Sequence, residues 1–298
     1  MGKWIKRGAL ALGVVLVLAA AGVATGLQLA ERKMARKVDV TVQPVALASD
    51  AASLQRGKYL FSSRGCAECH GPNGAGRVFV DNGKDLRLKA PNITAGTGGV
   101  VASYQPADWV RTIRHGVTPA GRAVMIMPSE DYNRLTDADL GSLVAYVKSL
   151  PPAPGTGAEV VLPLPARVLY GFGAIQDAAA KIDHSLPPAA AVPEGVTVQH
   201  GAYVANMCLG CHNPQLTGGR IPGGPPDWPP AANLTPVADS GMKAYAQPEA
   251  LMKMFKSGQR ADGSKIQVMP FDSLRELSET DVRALHMYLR TLAARPRG

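Results

Sequence analysis

The sequence predicts an all-α protein, with two tandem helical units behind an N-terminal transmembrane helix. Three observations carry this expectation. Residues 9–30 form an uncharged apolar run long enough to cross a bilayer. The remainder repeats itself with a shift of 142 residues. The segment that closes each repeat has apolar residues at helical spacing between a polar start and a stop. The expected division is 1–50 for the anchor (or signal) and its tether, 51–150 for the first unit, 151–195 for a Pro-rich linker and 196–298 for the second unit.

At the N-terminus, Lys3, Lys6 and Arg7 precede the apolar run. As a helix its 22 residues span about 33 Å, enough for a bilayer core. The small residues Ala19–Ala24 offer a processing site, so a cleaved signal is the rival reading, and the length of the run favours an uncleaved anchor. Basic residues lie on both sides, with Arg32, Lys33, Arg36 and Lys37 after the run, so charge alone does not orient it. Of the net charge of +9, residues 1–50 carry +4 and residues 151–298 only +1. No basic stripe points to nucleic acid.

All four cysteines lie in two copies of one motif, "GCAECH" (Gly65–His70) and "LGCH" preceded by Met207-Cys208, that is Cys-x-x-Cys-His at Cys66/Cys69/His70 and Cys208/Cys211/His212. This pattern reads as c-type haem attachment. Two thiols one short turn apart reach the two vinyl groups on one haem edge, and the adjacent histidine falls under the iron. Zinc needs four ligands and each motif supplies three. A redox dithiol has no use for the trailing histidine. The expected cofactor is therefore two covalently attached haem c.

With these motifs the chain resembles the class I c-type cytochromes, in which histidine and methionine are the usual axial ligands. The repeat then selects the methionines. Met127-Pro128 maps onto Met269-Pro270, and each methionine lies 57 residues after its motif histidine. The expected metal ligands are His70, Met127, His212 and Met269. Met125 is the nearest rival, and its repeat partner is Gln267, a poor ligand. The other histidines, His115, His184, His200 and His286, have no counterpart in the other half and read as core or surface residues.

The closing helices start at Thr136 and Ser278, each with an aspartate three residues on (Asp139, Asp281), like a capping box. Leu140, Leu143, Val144 and Val147 form the apolar face of the first, and Pro151 stops it. Gly57-x-Tyr59 and Gly201-x-Tyr203 on the opening helices, with Tyr146 and Tyr288 on the closing ones, look like the class I contact in which a small residue and an aromatic pack on a second aromatic. "PNIT" (Pro91–Thr94) and "ANLT" (Ala232–Thr235) follow each motif. They make Asn92, Thr94, Tyr104, Asn233, Thr235 and Tyr245 candidate donors to haem propionates, alongside plain turn chemistry. In the linker, Pro165–Ile182 has a pattern that an amphipathic helix draped over both units would satisfy, and the segment reads as a semi-rigid spacer.

The stretches "PNIT", "GVTPAGR" (Gly116–Arg122) and "MPSEDYNRLTDADL" (Met127–Leu140) sharpen the likeness. The chain resembles the cytochrome c subunits of membrane-bound alcohol and gluconate dehydrogenases. The resemblance implies an electron carrier, not an enzyme, in the bacterial inner membrane with its haem domains in the periplasm. Its partners would be a periplasmic dehydrogenase and a terminal oxidase or other cytochrome, with membrane lipid contacted through residues 9–30. A dihaem peroxidase is the enzymatic alternative and needs an iron without a fixed sixth ligand. A cytochrome subunit of a terminal oxidase is the other.

Overall fold

The computed structural model describes residues 2–225 and 227–297. Helix α1 (Lys3–Ala35) contains the whole apolar run and leaves it exposed up to Thr25, with Gly26 and Ala30 its buried residues. The first unit follows as α2 (Ala51–Ser63), α3 (Cys66–His70), strands β1 (Val78–Asp81) and β2 (Arg87–Lys89), α4 (Pro106–His115), α5 (Ser129–Tyr132) and α6 (Asp137–Ser149). Next come β3 (Glu159–Val161), α7 (Leu164–Phe172) and a 3-10 turn at Ala178–Lys181. The second unit runs through α8 (Val198–Val204), a 3-10 turn at Ala205–Cys208, α9 (Leu209–His212), α10 (Pro248–Ser257), α11 (Phe271–Leu274) and α12 (Glu279–Thr291).

Local chemistry explains the helix ends. Thr136 and Ser278 cap α6 and α12, each accepting from the backbone N–H three residues on (3.1 and 3.0 Å). Gly116 and Gly258, equivalent in the repeat, end α4 and α10 in the left-handed region at φ 62° and 71°. In each unit the opening helix packs across the closing one, α2 on α6 and α8 on α12. A Cβ on Gly57 would lie 2.0 Å from the Ser142 carbonyl, and one on Gly201 would lie 2.0 Å from that of Ala284. The backbones therefore touch at both crossings. Gly201→Ala is expected to cost at least about 1–3 kcal/mol, because neither backbone can give way to a new methyl group. A urea midpoint equal to wild type would contradict that packing.

The chain is helix-rich, consistent with the all-α expectation, and adds one small sheet among the described residues. β1, β2 and β3 form a small antiparallel sheet in that order, around an Asn82-Gly83 turn. The signal was an Asn-Gly flanked by the alternating "VFVD" and "RLK". β3 comes from the linker and brings Glu159 to Arg87. The linker is broken into short pieces rather than one helix over both units. Gly173 at φ 87° ends α7, which packs on α1, and Ala178 and Ala179 then pack beside Gly116 and Val117. The tether also docks, with Val40 and Val45 buried against the first unit.

The aromatic contact differs in detail. Tyr146 packs on Gly57 as expected, but its ring partner is Phe61, with centroids 5.5 Å apart. Tyr59 and Tyr203 instead cross between the units. The Tyr59 hydroxyl accepts from the Ser278 N–H (3.1 Å) and donates to Asp281 (2.6 Å). The Tyr203 hydroxyl accepts from the Thr136 N–H (3.3 Å) and donates to Asp139 (2.7 Å). In an ordinary capping box the N3 side chain reaches back to the N-cap N–H. Here a tyrosine from the other unit stands between the two, at both helix starts. The interface is thus an isologous contact between two unequal repeats, with residue equivalents exchanged across it.

Candidate haem-binding sites

Each Cys-x-x-Cys-His is held in helical geometry by a special backbone position after the histidine. Gly65 (φ 84°) and Gly71 (φ 75°) bracket α3, and Asn213 takes the equivalent of Gly71 at φ 64°. With ψ at 167° this is the extended positive-φ region that is otherwise almost confined to glycine, so Asn213 holds a strained backbone at this site. The spacing puts Cys66 and Cys69 on one side of a helical turn, and none of the four cysteines is paired in a disulfide. Burial, chiefly, pushes the Cys66 and Cys208 thiols up to about 12 and Cys69 up to about 11. A dithiol oxidoreductase requires the opposite shift.

The histidines are oriented alike. His70 Nδ1–H donates to the Pro91 carbonyl at 2.9 Å, and His212 Nδ1–H donates to that of Ala232 at 2.8 Å. A carbonyl can only accept, so the proton sits on Nδ1 and the Nε2 lone pair is left for a metal. Burial lowers the pKa of both rings despite these bonds, which favours the neutral form with its Nε2 lone pair near pH 7. This arrangement fits haem c at both motifs. The two Met-Pro turns also match. Pro128 and Pro270 adopt φ/ψ of −79°/65° and −80°/69°, and the Met127 and Met269 carbonyls accept from Ser129 and Phe271 N–H at 2.8 and 2.9 Å. Met127 packs against the apolar core that Cys66 borders, and Met269 against the one that Cys208 borders. Gln267, the counterpart of Met125, is exposed.

Residues 52–147 match the family described as cytochrome c oxidase, cbb3-type, subunit III, and residues 199–293 match the family described as cytochrome c. The chain is a c-type cytochrome. Two curated relatives align along most of it. The fructose dehydrogenase cytochrome subunit of Gluconobacter japonicus is 27% identical over 278 residues, covering 85% of this chain and 55% of the relative. The gluconate 2-dehydrogenase cytochrome c subunit of Pantoea cypripedii is 25% identical over 291 residues, covering 86% of this chain and 64% of the relative. The cytochrome therefore spans less than two thirds of the length of either.

Within the cytochrome, four of the six residues expected as propionate donors bond to the chain itself. Asn92 Oδ1 accepts from the Thr94 N–H and hydroxyl (both 2.8 Å), and its Nδ2 donates to the Ala153 carbonyl (2.8 Å). Asn233 and Thr235 repeat this pattern with the Arg295 carbonyl as the outer acceptor (2.8 Å). All four side chains are buried and engaged, so they strap the chain leaving α6 or α12 onto the loop behind each motif. Tyr104 remains a candidate, its hydroxyl accepting from Thr112 at 3.4 Å. Tyr245 is buried in the second core, and its carbonyl accepts from His286 Nε2 at 2.9 Å. The unrepeated histidines are occupied as well. His115 and His184 pair through Nδ1 at 3.0 Å, and His200 Nε2 donates to Asp281 at 2.7 Å.

Sequence reasoning missed how each motif is bonded to the other unit. Glu68, inside the first motif, accepts from the Ser273 N–H of α11 at 2.8 Å and from its hydroxyl. Asp131 of α5 accepts from the Gly210 N–H, inside the second motif, at 3.0 Å. Each motif is thus tied to the helix after the other unit's Met-Pro. Arg64 and His200 join Tyr59 on the fully buried Asp281 (2.8 and 2.7 Å). The available signal was the repeat itself. It places Glu68 with Gly210, Asp131 with Ser273, Tyr59 with Tyr203 and Asp139 with Asp281.

Proposed function

We propose that the cytochrome is a membrane-anchored dihaem electron carrier, with domains at 51–150 and 196–298 in the periplasm of a bacterial inner membrane. It would take electrons from a periplasmic dehydrogenase and deliver them to the respiratory chain. One observation carries the reading. Two motifs with identically oriented histidines are each bonded to the other unit across one reciprocal interface, which supports a single polypeptide carrying two haem sites. Haem c supplies an iron that cycles between ferrous and ferric states when bound. Cys66 and Cys69, with Cys208 and Cys211, would form the thioethers. His70 and His212 would be the proximal ligands, and Met127 and Met269 the distal ones. α1, with its apolar run, would serve as the anchor. The dehydrogenase partner follows from the two relatives, which are cytochrome subunits of dehydrogenases and align along most of the chain. A second reading, a cytochrome subunit of a terminal oxidase, is favoured by the first family match alone.

The distal ligands give the test. Methionine bound to ferric haem c produces a weak far-red absorption band. Met127→Ala and Met269→Ala are each expected to remove about half of it and to lower the potential of one haem only, since each repeat supplies its own ligand. Met125→Ala should leave the band intact. A wild-type protein in which one haem is high-spin and binds cyanide readily would overturn the carrier reading in favour of a peroxidase.

A further inference from the structure

Helix α7 is locked to α1 at a defined height. The two touch at Gly26 and Ala30, where a Cβ on Gly26 would lie 2.8 Å from Val168 Cγ1 and one on Gly171 2.0 Å from the Gly26 carbonyl. Such contact between small residues is how helices approach closely at a membrane. Polar bonds fix the far end. Arg36 binds both oxygens of the buried Asp177 at 2.7 Å, the Tyr170 hydroxyl donates to Asp177 at 2.7 Å, and Lys33 donates to the Tyr170 carbonyl at 3.1 Å. α7 therefore cannot move without α1.

Three large apolar side chains of α7 are left uncovered. Leu164, Leu169 and Phe172 are 51%, 47% and 57% exposed. At 100° per residue they fall within an arc of about 140° that also contains Val168, so the bare face continues the face that meets α1. The height of the contact identifies the cover. Counting from Ala9 at 1.5 Å per residue, Gly26 lies about 26 Å along a hydrocarbon core of about 30 Å. α7 thus crosses α1 where the apolar run leaves the bilayer. The exposed Arg32, and Arg167 paired with the neighbouring Glu31 at 3.7 Å, stand at the level of the lipid phosphates.

We propose that α7 is an interfacial helix, its Leu164, Leu169 and Phe172 immersed in the outer surface of the bilayer. α1 and α7 then form one two-helix membrane unit that sets the height and tilt of the haem domains. This rests on α1 being a membrane anchor, and the test separates the two. The full-length cytochrome is reconstituted into phosphatidylethanolamine/phosphatidylglycerol vesicles and photolysed with a bilayer-dissolved hydrophobic diazirine, and adducts are mapped by mass spectrometry. Adducts are expected in residues 9–30 and in residues 164–172, well above those in the exposed loop 259–265. The L164S/L169S/F172S variant should lose label at 164–172 several-fold while keeping its Soret spectrum and its label at 9–30. Label at 9–30 with only loop-level label at 164–172 in wild type would overturn the proposal, leave the anchor standing and point to a protein partner on that face. Loop-level label at both would overturn the anchor and, with it, the role of α7.

Discussion

Asp281→Ala is expected to destabilise the cytochrome by about 3–5 kcal/mol, the cost of breaking a buried ion pair from one side. Asp281 is fully buried and Arg64 nearly so, at 0% and 5% side-chain exposure. Removing the carboxylate strands the guanidinium, His200 Nε2 and the Tyr59 hydroxyl together, and it also removes the cross-unit completion of the α12 cap. Asp139→Ala should cost less, because Arg56, its partner within the same unit, is partly exposed and can be rehydrated. Tyr59→Phe should cost about 1–3 kcal/mol, since it leaves the Ser278 N–H unpaired while the ion pair survives. Urea midpoints of the haem-loaded proteins at pH 7 check the ranking. An Asp281→Ala protein within about 1 kcal/mol of wild type would mean the units do not associate in this way. The acid side follows from the same contacts. Burial alone would raise the Asp281 carboxyl, but Arg64, Tyr59 and His200 outweigh it and hold it below the ordinary 3.8; Asp139 is likewise held down by Arg56 and Tyr203. Stability from both is fully present above about pH 3.8 and is lost as pH falls through the lower folded values, so Asp281→Ala should show the shallower acid limb.

Cys66→Ala combined with Cys69→Ala is expected to halve the covalently bound haem, from two per chain to one, by pyridine haemochrome after acid-acetone extraction. The two cysteine pairs lie in different units, and the second motif keeps its own histidine bond to Ala232 and its own core. Haem retained in full after this change, or haem that the acid-acetone step extracts from wild type, would refute thioether attachment at the first motif. Loss of both haems would instead show that the units mature together. The Glu68–Ser273 and Asp131–Gly210 bonds tie each motif to the opposite unit and supply a route for such coupling.

Much of this was legible in the sequence because the signals are local. The Thr136 and Ser278 caps, the apolar faces of α6 and α12 and the Cys-x-x-Cys-His spacing all operate within one or two helical turns. Repetition then doubled each weak signal, which is how two methionines stood out among ten. The Asn-Gly turn carries a local signal too, but its strands are only four and three residues long and lean on β3 from the linker. For Asn92 and Asn233 the sequence left both roles open, because a buried amide satisfied by its own loop and one reserved for a ligand have the same sequence. Only the acceptor, a carbonyl 61 or 62 residues away, tells them apart.

By itself the sequence determined the two haem motifs, the repeat, the capped helices and the apolar run of α1. These depend on residue type and short-range spacing, which any conformation of the chain carries. Only the tertiary structure decided that Tyr59 and Tyr203 complete each other's helix caps, that Asp281 gathers Arg64 and His200, and that the linker returns to α1 through α7 rather than lying over both units. Those contacts join residues from 64 to 222 positions apart. At such separations periodicity and propensity say nothing, and the partner is chosen by which buried polar group would otherwise be left unpaired.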